Sequence, residues 1–175
     1  LFKEKFNSYL KRAGMILFKT SPITPQYFNE LTSFMTELKI LLNHMEFEFG
    51  MSAQAGDLFK QQLFILERVG YYLETILSLR VHRQQEDFIK TVWLNDFLNR
   101  CVKDLWMILE NWPNPEAVQV LKNLTSSTQY LLEEAFRTKR LQALSEEERT
   151  HCLVVGRNVQ GLGESLVLLS AETSS

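Results

Sequence analysis

The stretch that decides the fold runs from residue 57 to residue 79 and reads DLFKQQLFILERVGYYLETILSL. Its apolar side chains recur at helical spacing and, at about 100° per residue, cover roughly half of the helix circumference. A helix at the surface of a protein needs only a single, narrower apolar stripe. We therefore predict a long helix over residues 53–82 that lies in the centre of the domain and packs against several neighbours.

The rest of the chain also follows the helical period, and no stretch alternates between apolar and polar residues with period two. Pro25 and Pro115 stand at first helical positions, Asp87 is a candidate cap for the fourth helix, and Ser145 with Glu148 has the spacing of a capping box. These signals predict an all-α fold of about six antiparallel helices packed as helical hairpins. Two arrangements fit, a short α-solenoid with a HEAT-like stack of hairpins or an irregular helical bundle.

The composition indicates one compact domain. The chain has 175 residues, of which 45% are hydrophobic and 23% charged, and its net charge is −2. We predict a single helical domain over residues 1–171 and a flexible tail over residues 172–175. No targeting peptide or membrane segment is visible, so we expect a piece of a larger intracellular protein, in the cytoplasm or the nucleus.

Residues with catalytic or metal-binding chemistry are few. Cys101 and Cys152 lie far apart with no CxxC or Cys/His spacing, although a single bridge between them stays open. His44 and Glu48 share a helical face, but metal sites in helical bundles need inward-facing Glu-x-x-His pairs from two helices, and His44 with Glu48 is not such a pair. We therefore predict no enzyme activity, no cofactor and no metal. An exposed His44 leaves a histidine phosphotransfer-type signalling bundle as a third reading.

Helix six carries two further expectations. Gly156 and Gly163 lie one heptad apart, and glycine is unfavourable inside a helix, so we predict that another helix approaches closely there. His151 falls on the side of helix six that faces the core, so we expect it to be buried and hydrogen-bonded.

The candidate partner-binding residues are apolar side chains outside the core stripe. Ile40 and Phe47 lie one heptad apart on helix two and point away from its predicted core side, and Trp112 follows helix four. An apolar patch that the domain itself does not cover is typical of a binding surface. The leading prediction is a non-catalytic protein–protein interaction domain, a scaffold or adaptor, which binds another protein or a second copy of itself.

Two basic clusters lie at predicted helix ends, and in the prediction of a protein–protein interaction domain they form a basic rim around the apolar patch. They are Arg80 with Arg83, and Arg137 with Lys139 and Arg140. Cations at a helix C-terminus complement the helix dipole, which is sufficient reason for their presence. The alternative prediction is a nucleic-acid-associated helical domain, in which these cations converge on phosphates.

Overall fold

A computed structural model of the chain describes residues 1–18, 22–48 and 53–173. The described residues form α1 (Phe2–Leu17), α2 (Pro25–Glu48), α3 (Ala53–Gln85), α4 (Val92–Asn111), α5 (Pro115–Arg137) and α6 (Glu146–Thr173), with a short 3₁₀ helix at Arg140–Ala143 between the last two. No strand occurs among them. The prediction of an all-α fold with six helices is confirmed.

Several helix ends follow the local signals in the sequence. α2 and α5 begin at Pro25 and Pro115, as predicted. The capping box is formed, because the Glu148 N–H donates to Ser145 Oγ at 3.1 Å and the Ser145 N–H donates to Glu148 Oε1 at 3.2 Å. α6 runs to Thr173, beyond the predicted domain limit of residue 171, while residues 174–175 of the predicted tail lie outside the described part of the chain.

The six helices close into a ring in which each packs against two neighbours, in the order α1, α2, α3, α6, α5, α4. Smaller contacts of α1 with α3 and of α4 with α6 cross the ring. Of the two predicted arrangements, this is the bundle. α3 and α4 would pair in a stack of hairpins, but α3 packs along α6 instead.

Ion pairs between neighbouring helices accompany the antiparallel register of α1 with α2 and of α2 with α3. The pairs are Arg12 with Glu30 at 2.6 Å, Lys5 with Glu37, and Lys39 with Glu67 at 3.0 Å. Because these side chains are largely solvated, the pairs select the register more than they stabilise the fold.

The core confirms the central position of α3 and the close approach at α6. Leu66, Val69 and Leu73 of α3 are fully buried, and α3 contacts α1, α2 and α6. A Cβ atom at Gly156 would lie 2.6 Å from Leu132 Cδ1, and one at Gly163 would lie 2.5 Å from Thr125 Cγ2. The two glycines therefore let α5 approach α6 more closely than any side chain would allow.

Candidate functional site

An apolar residue predicted to lie outside the core is exposed on α2. Ile40 has 50% of its surface accessible and lies one turn beyond Thr36. Thr36, Lys39 and Tyr71 line a shallow groove of about 290 Å³ between α2 and α3. The side chain of Phe47, the second predicted anchor, lies outside the described part of the chain.

Two aromatic side chains continue this surface on α3. Phe64 is 60% exposed and Tyr71 is 65% exposed, and their spacing of one heptad places them on the same side of the helix. Arg68 lies between them and is held in place: its guanidinium carbon lies 5.7 Å from the centroid of the Phe64 ring, and Nη2 donates to Tyr72 Oη at 2.8 Å. We call Ile40, Phe64, Arg68 and Tyr71 the α2–α3 face.

The sequence analysis missed Phe64 and Tyr71 because α3 is apolar around a wide arc. α3 has neighbours on three sides, namely α1, α2 and α6, and the two aromatic residues lie on the fourth. The heptad spacing of Phe64 and Tyr71 shows that they share one side of α3, but it does not show whether another helix covers that side.

Trp112 does not belong to an exposed surface. It is only 5% accessible and forms part of the hydrophobic core, at the residue where α4 ends. The predicted role of Trp112 as a partner anchor is therefore withdrawn. A tryptophan at a helix end has a large apolar surface to bury, and here the bundle buries it.

The first predicted basic cluster points into the bundle. Arg83 donates from Nη2 to Oδ1 of Asn95 and, at 3.1 Å, to Oδ1 of Asn99, both on α4. Arg80 is half-buried, and burial together with the charge of Arg83 lowers the pKa of its guanidinium. Arg83 therefore ties α3 to α4, and neither arginine has the full exposure that the predicted rim requires.

The second basic cluster lies on the surface. Arg137 forms an ion pair with Glu134 at 2.8 Å, Lys139 is exposed, and the guanidinium of Arg140 lies 5.5 Å from the centroid of the Trp93 ring. Trp93 is the second residue of α4, and Asn95 and Asn99 further along α4 accept hydrogen bonds from Arg83 of α3. The C-terminal ends of α3 and α5 therefore meet at the same end of the bundle, although only the second cluster presents its cations to solvent.

A group of three rings occupies this end, where α3 meets α6, and we call it the α3–α6 corner. The Phe88 ring lies 5.1 Å from the ring of His82 and 5.2 Å from the ring of His151, and the two imidazoles are 6.4 Å apart, all measured between centroids. His151 is buried, as predicted, with 4% of its surface accessible. Burial and the neighbouring charges of Arg83 and His82 lower its pKa to about 4.

The expected hydrogen bond of His151 is not formed with any described residue. The Phe88 ring offers this imidazole no conventional donor or acceptor, and the His82 ring lies 6.4 Å away between centroids. The His151 side chain is 4% accessible, and its nitrogens are not among the fully buried polar atoms that lack a partner in the described residues.

Glu148 joins two helix N-termini beside the same corner. Besides closing the capping box of α6, its Oε2 accepts the N–H groups of Lys90 at 3.2 Å and Thr91 at 3.0 Å, directly before α4. Burial would raise the pKa of this carboxyl, but the donors Thr91, Ser145 and Lys90 outweigh burial and hold the pKa below its ordinary value. α4 begins at Val92 and not after Asp87, because Glu148 supplies the acceptor for these N–H groups.

Both cysteines are buried free thiols. Burial raises the pKa of Cys101 to about 12 and that of Cys152 to about 11. Neither is a thiolate at neutral pH, so neither offers a nucleophile.

No protein-family model, no curated protein and no solved structure matches this chain. Within the described residues, no helix combines the length and the apolar character that crossing a bilayer requires.

Proposed function

We propose that this domain is a non-catalytic protein–protein interaction module, a scaffold or adaptor part of a larger intracellular protein or complex, which binds its partner through the α2–α3 face. The observation that carries the proposal is the row of Phe64, Arg68 and Tyr71 on the side of α3 that no other described helix covers. Large aromatic residues on one uncovered side of a central helix are typical of a binding surface.

The side chains of this face suit a protein partner. Tyrosine and arginine are enriched among the residues that dominate interface energies, and aromatic anchors lose little conformational entropy on binding. Arg68 is already fixed by the Phe64 ring and by the hydroxyl of Tyr72, so its ordering does not oppose association. The ion pair of Lys39 with Glu67 supplies a polar border beside the groove.

The chemistry of the described side chains supports a role without catalysis. The two thiols are protonated. His151 lies beside Phe88 and His82, and among the described residues no serine hydroxyl or cysteine thiol forms a hydrogen bond with it. A nucleophile activated by a base needs such a hydrogen-bonded pair.

Binding to nucleic acid remains the second candidate, since the C-terminal ends of α3 and α5 meet at one end of the bundle. It has weaker support, because Arg83 donates to Asn99 of α4, Arg80 is half-buried and Arg137 is paired with Glu134. A phosphate-driven complex would weaken steeply as salt rises, whereas burial of the α2–α3 face would not. The phosphotransfer reading rests on the exposure of His44 alone.

The test compares Ile40→Asp/Tyr71→Asp with a matched control, Phe136→Asp. Phe136 is 79% exposed on α5, outside the α2–α3 face. Each protein serves as bait at two salt concentrations with nuclease added, and bound proteins are quantified by mass spectrometry. We expect a specific set of proteins to be lost with the double variant and kept with Phe136→Asp.

Light scattering on the same samples covers a partner that is a second copy of the chain. A dimer of the wild type that dissociates only in the double variant supports the same face. If the double variant keeps its circular dichroism spectrum, every bound protein and the mass of the wild type, the α2–α3 face is not the binding surface.

A further inference from the structure

Two histidine–glutamate pairs meet at the α3–α6 corner. His82 and Glu86 are four residues apart at the end of α3, and Glu147 and His151 are four residues apart at the start of α6. The Glu86 N–H donates to the His82 carbonyl at 3.0 Å, which continues the helical turn beyond Gln85. Residues at this spacing share one face of a helix, so each pair projects as a unit.

The antiparallel packing of α3 on α6 brings the two pairs together. The imidazoles of His82 and His151 lie 6.4 Å apart between ring centroids. One donor atom from each of His82, Glu86 and Glu147 lies within 4.8 Å of the other two. The exposed side chains of these three residues can shorten those distances by rotating about their own bonds.

His151 is the fourth residue at this corner. It is 4% accessible and makes no hydrogen bond to a described residue, although buried polar groups are nearly always bonded. Its ring centroid lies 6.4 Å from that of His82, and its nitrogens fall outside the group of donor atoms that lie within 4.8 Å of one another. A ligand that accepts an imidazole lone pair would satisfy it.

We propose that His82, Glu86, Glu147 and His151 form a binding site for a divalent transition metal of the zinc class, which joins the end of α3 to the start of α6. Two imidazole nitrogens and two carboxylate oxygens make a four-donor set of the kind that Zn²⁺ binds tetrahedrally. Mg²⁺ and Ca²⁺ prefer sites built from oxygen alone. The site is at the end of the bundle and is independent of the α2–α3 face.

The charges around the site are compatible with a dication. Glu86 and Glu147 supply two negative charges. Asp87 lies next to Glu86 and forms an ion pair with Lys90, whose Nζ lies 3.8 Å from Asp87 Oδ2. The charge of Arg83 lowers the pKa of His151, but the guanidinium of Arg83 donates its hydrogen bonds to Asn95 and Asn99. The prediction of no metal considered His44 and the cysteines, whereas these two pairs lie far apart in the chain and only the fold brings them together.

The experiment titrates chelator-treated protein with Zn²⁺ by calorimetry and with Co²⁺ by visible absorption. We expect one metal ion per chain, d–d bands typical of four-coordinate Co²⁺, and a higher melting temperature with Zn²⁺. His82→Ala and Glu147→Gln should each weaken Zn²⁺ binding at least tenfold and abolish the bands, since each removes one donor. His44→Ala is the matched control, because His44 is an exposed histidine of α2.

Three results would overturn the proposal. They are the absence of saturable Zn²⁺ binding to the wild type, equal weakening by His82→Ala and His44→Ala, and unchanged affinity in Glu147→Gln. His151→Asn replaces a buried residue, so circular dichroism and the Co²⁺ spectrum are recorded together. A folded His151→Asn protein with the wild-type spectrum and affinity would disprove the four-donor set.

Discussion

Replacing Glu148 with alanine should lower the free energy of unfolding by about 3–4 kcal/mol. The buried carboxylate accepts three backbone N–H groups at 3.0–3.2 Å, from Ser145, Lys90 and Thr91. A hydrogen bond to a charged group contributes about 1.5–3 kcal/mol, and an N-cap about 1 kcal/mol. The lower end for each of the three bonds gives about 4.5 kcal/mol, which we reduce to about 3–4 kcal/mol because two bonds are at the long end of the range and water can replace part of them.

A second variant separates the charge from the size of the side chain. Glu148→Gln keeps the shape but has one acceptor oxygen, so its amide nitrogen would face at least one of the three donors. We expect a loss of about 2 kcal/mol, intermediate between wild type and alanine. Glu146→Gln is the matched control: Glu146 is an exposed glutamate in the same first turn of α6, and its change should stay near 0.5 kcal/mol.

Urea and thermal unfolding followed by circular dichroism measure these differences. In a domain of this size, 1 kcal/mol corresponds to about 2–4 °C, so Glu148→Ala should melt roughly 6–16 °C below the wild type. The helix content at low temperature should be unchanged. A loss under 1 kcal/mol for Glu148→Ala, or one equal to that of Glu146→Gln, would show that the junction between α4 and α6 does not depend on this carboxylate.

Three further predictions concern the core. The buried Tyr9 hydroxyl has no hydrogen-bond partner among the described residues, so Tyr9→Phe should stabilise the domain by about 1 kcal/mol in urea unfolding, and a loss of stability would indicate a partner. A Cβ at Gly161 would lie 2.4 Å from Tyr72 Cζ, whereas one at Gly56 meets nothing within 4 Å. Gly161→Ala should therefore destabilise by about 1–2 kcal/mol and Gly56→Ala should stabilise by up to about 1 kcal/mol, and equal effects would contradict this packing. Because burial raises the pKa of both cysteine thiols, Ellman's reagent at pH 8 should modify neither in the folded protein and both in guanidinium, and rapid reaction of either native thiol would be inconsistent with its burial.

The sequence predicted the helices well because their ends carry local chemistry. Pro25, Pro115 and the Ser145–Glu148 capping box act through the backbone of adjacent residues, and each marks the boundary found in the structure. The start of α4 was wrong for a related reason. The acceptor for its first N–H groups is Glu148, which is remote in the chain, so no pattern near Asp87 contained that information.

The candidate sites were predictable only in part, since exposure depends on which helices become neighbours. Helical spacing identified Ile40 as an outward residue of α2, and the structure exposes it. Spacing does not say which side of α3 lacks a neighbour, so Phe64 and Tyr71 were not separated from the core. Trp112 was predicted to be a partner anchor but is buried, because a residue at a helix end can point to the core or away from it.

The exposed residues of α3 should contribute little to the free energy of unfolding. Burial of apolar surface stabilises the fold only where the surface leaves water, and Phe64 and Tyr71 keep most of theirs in contact with water. Their replacement should therefore change stability little, unlike the replacement of Leu66 or Leu73 in the core of the same helix. An effect of Tyr71→Asp on partner binding, measured in a protein of unchanged stability, would consequently report on the surface itself and not on the fold that presents it.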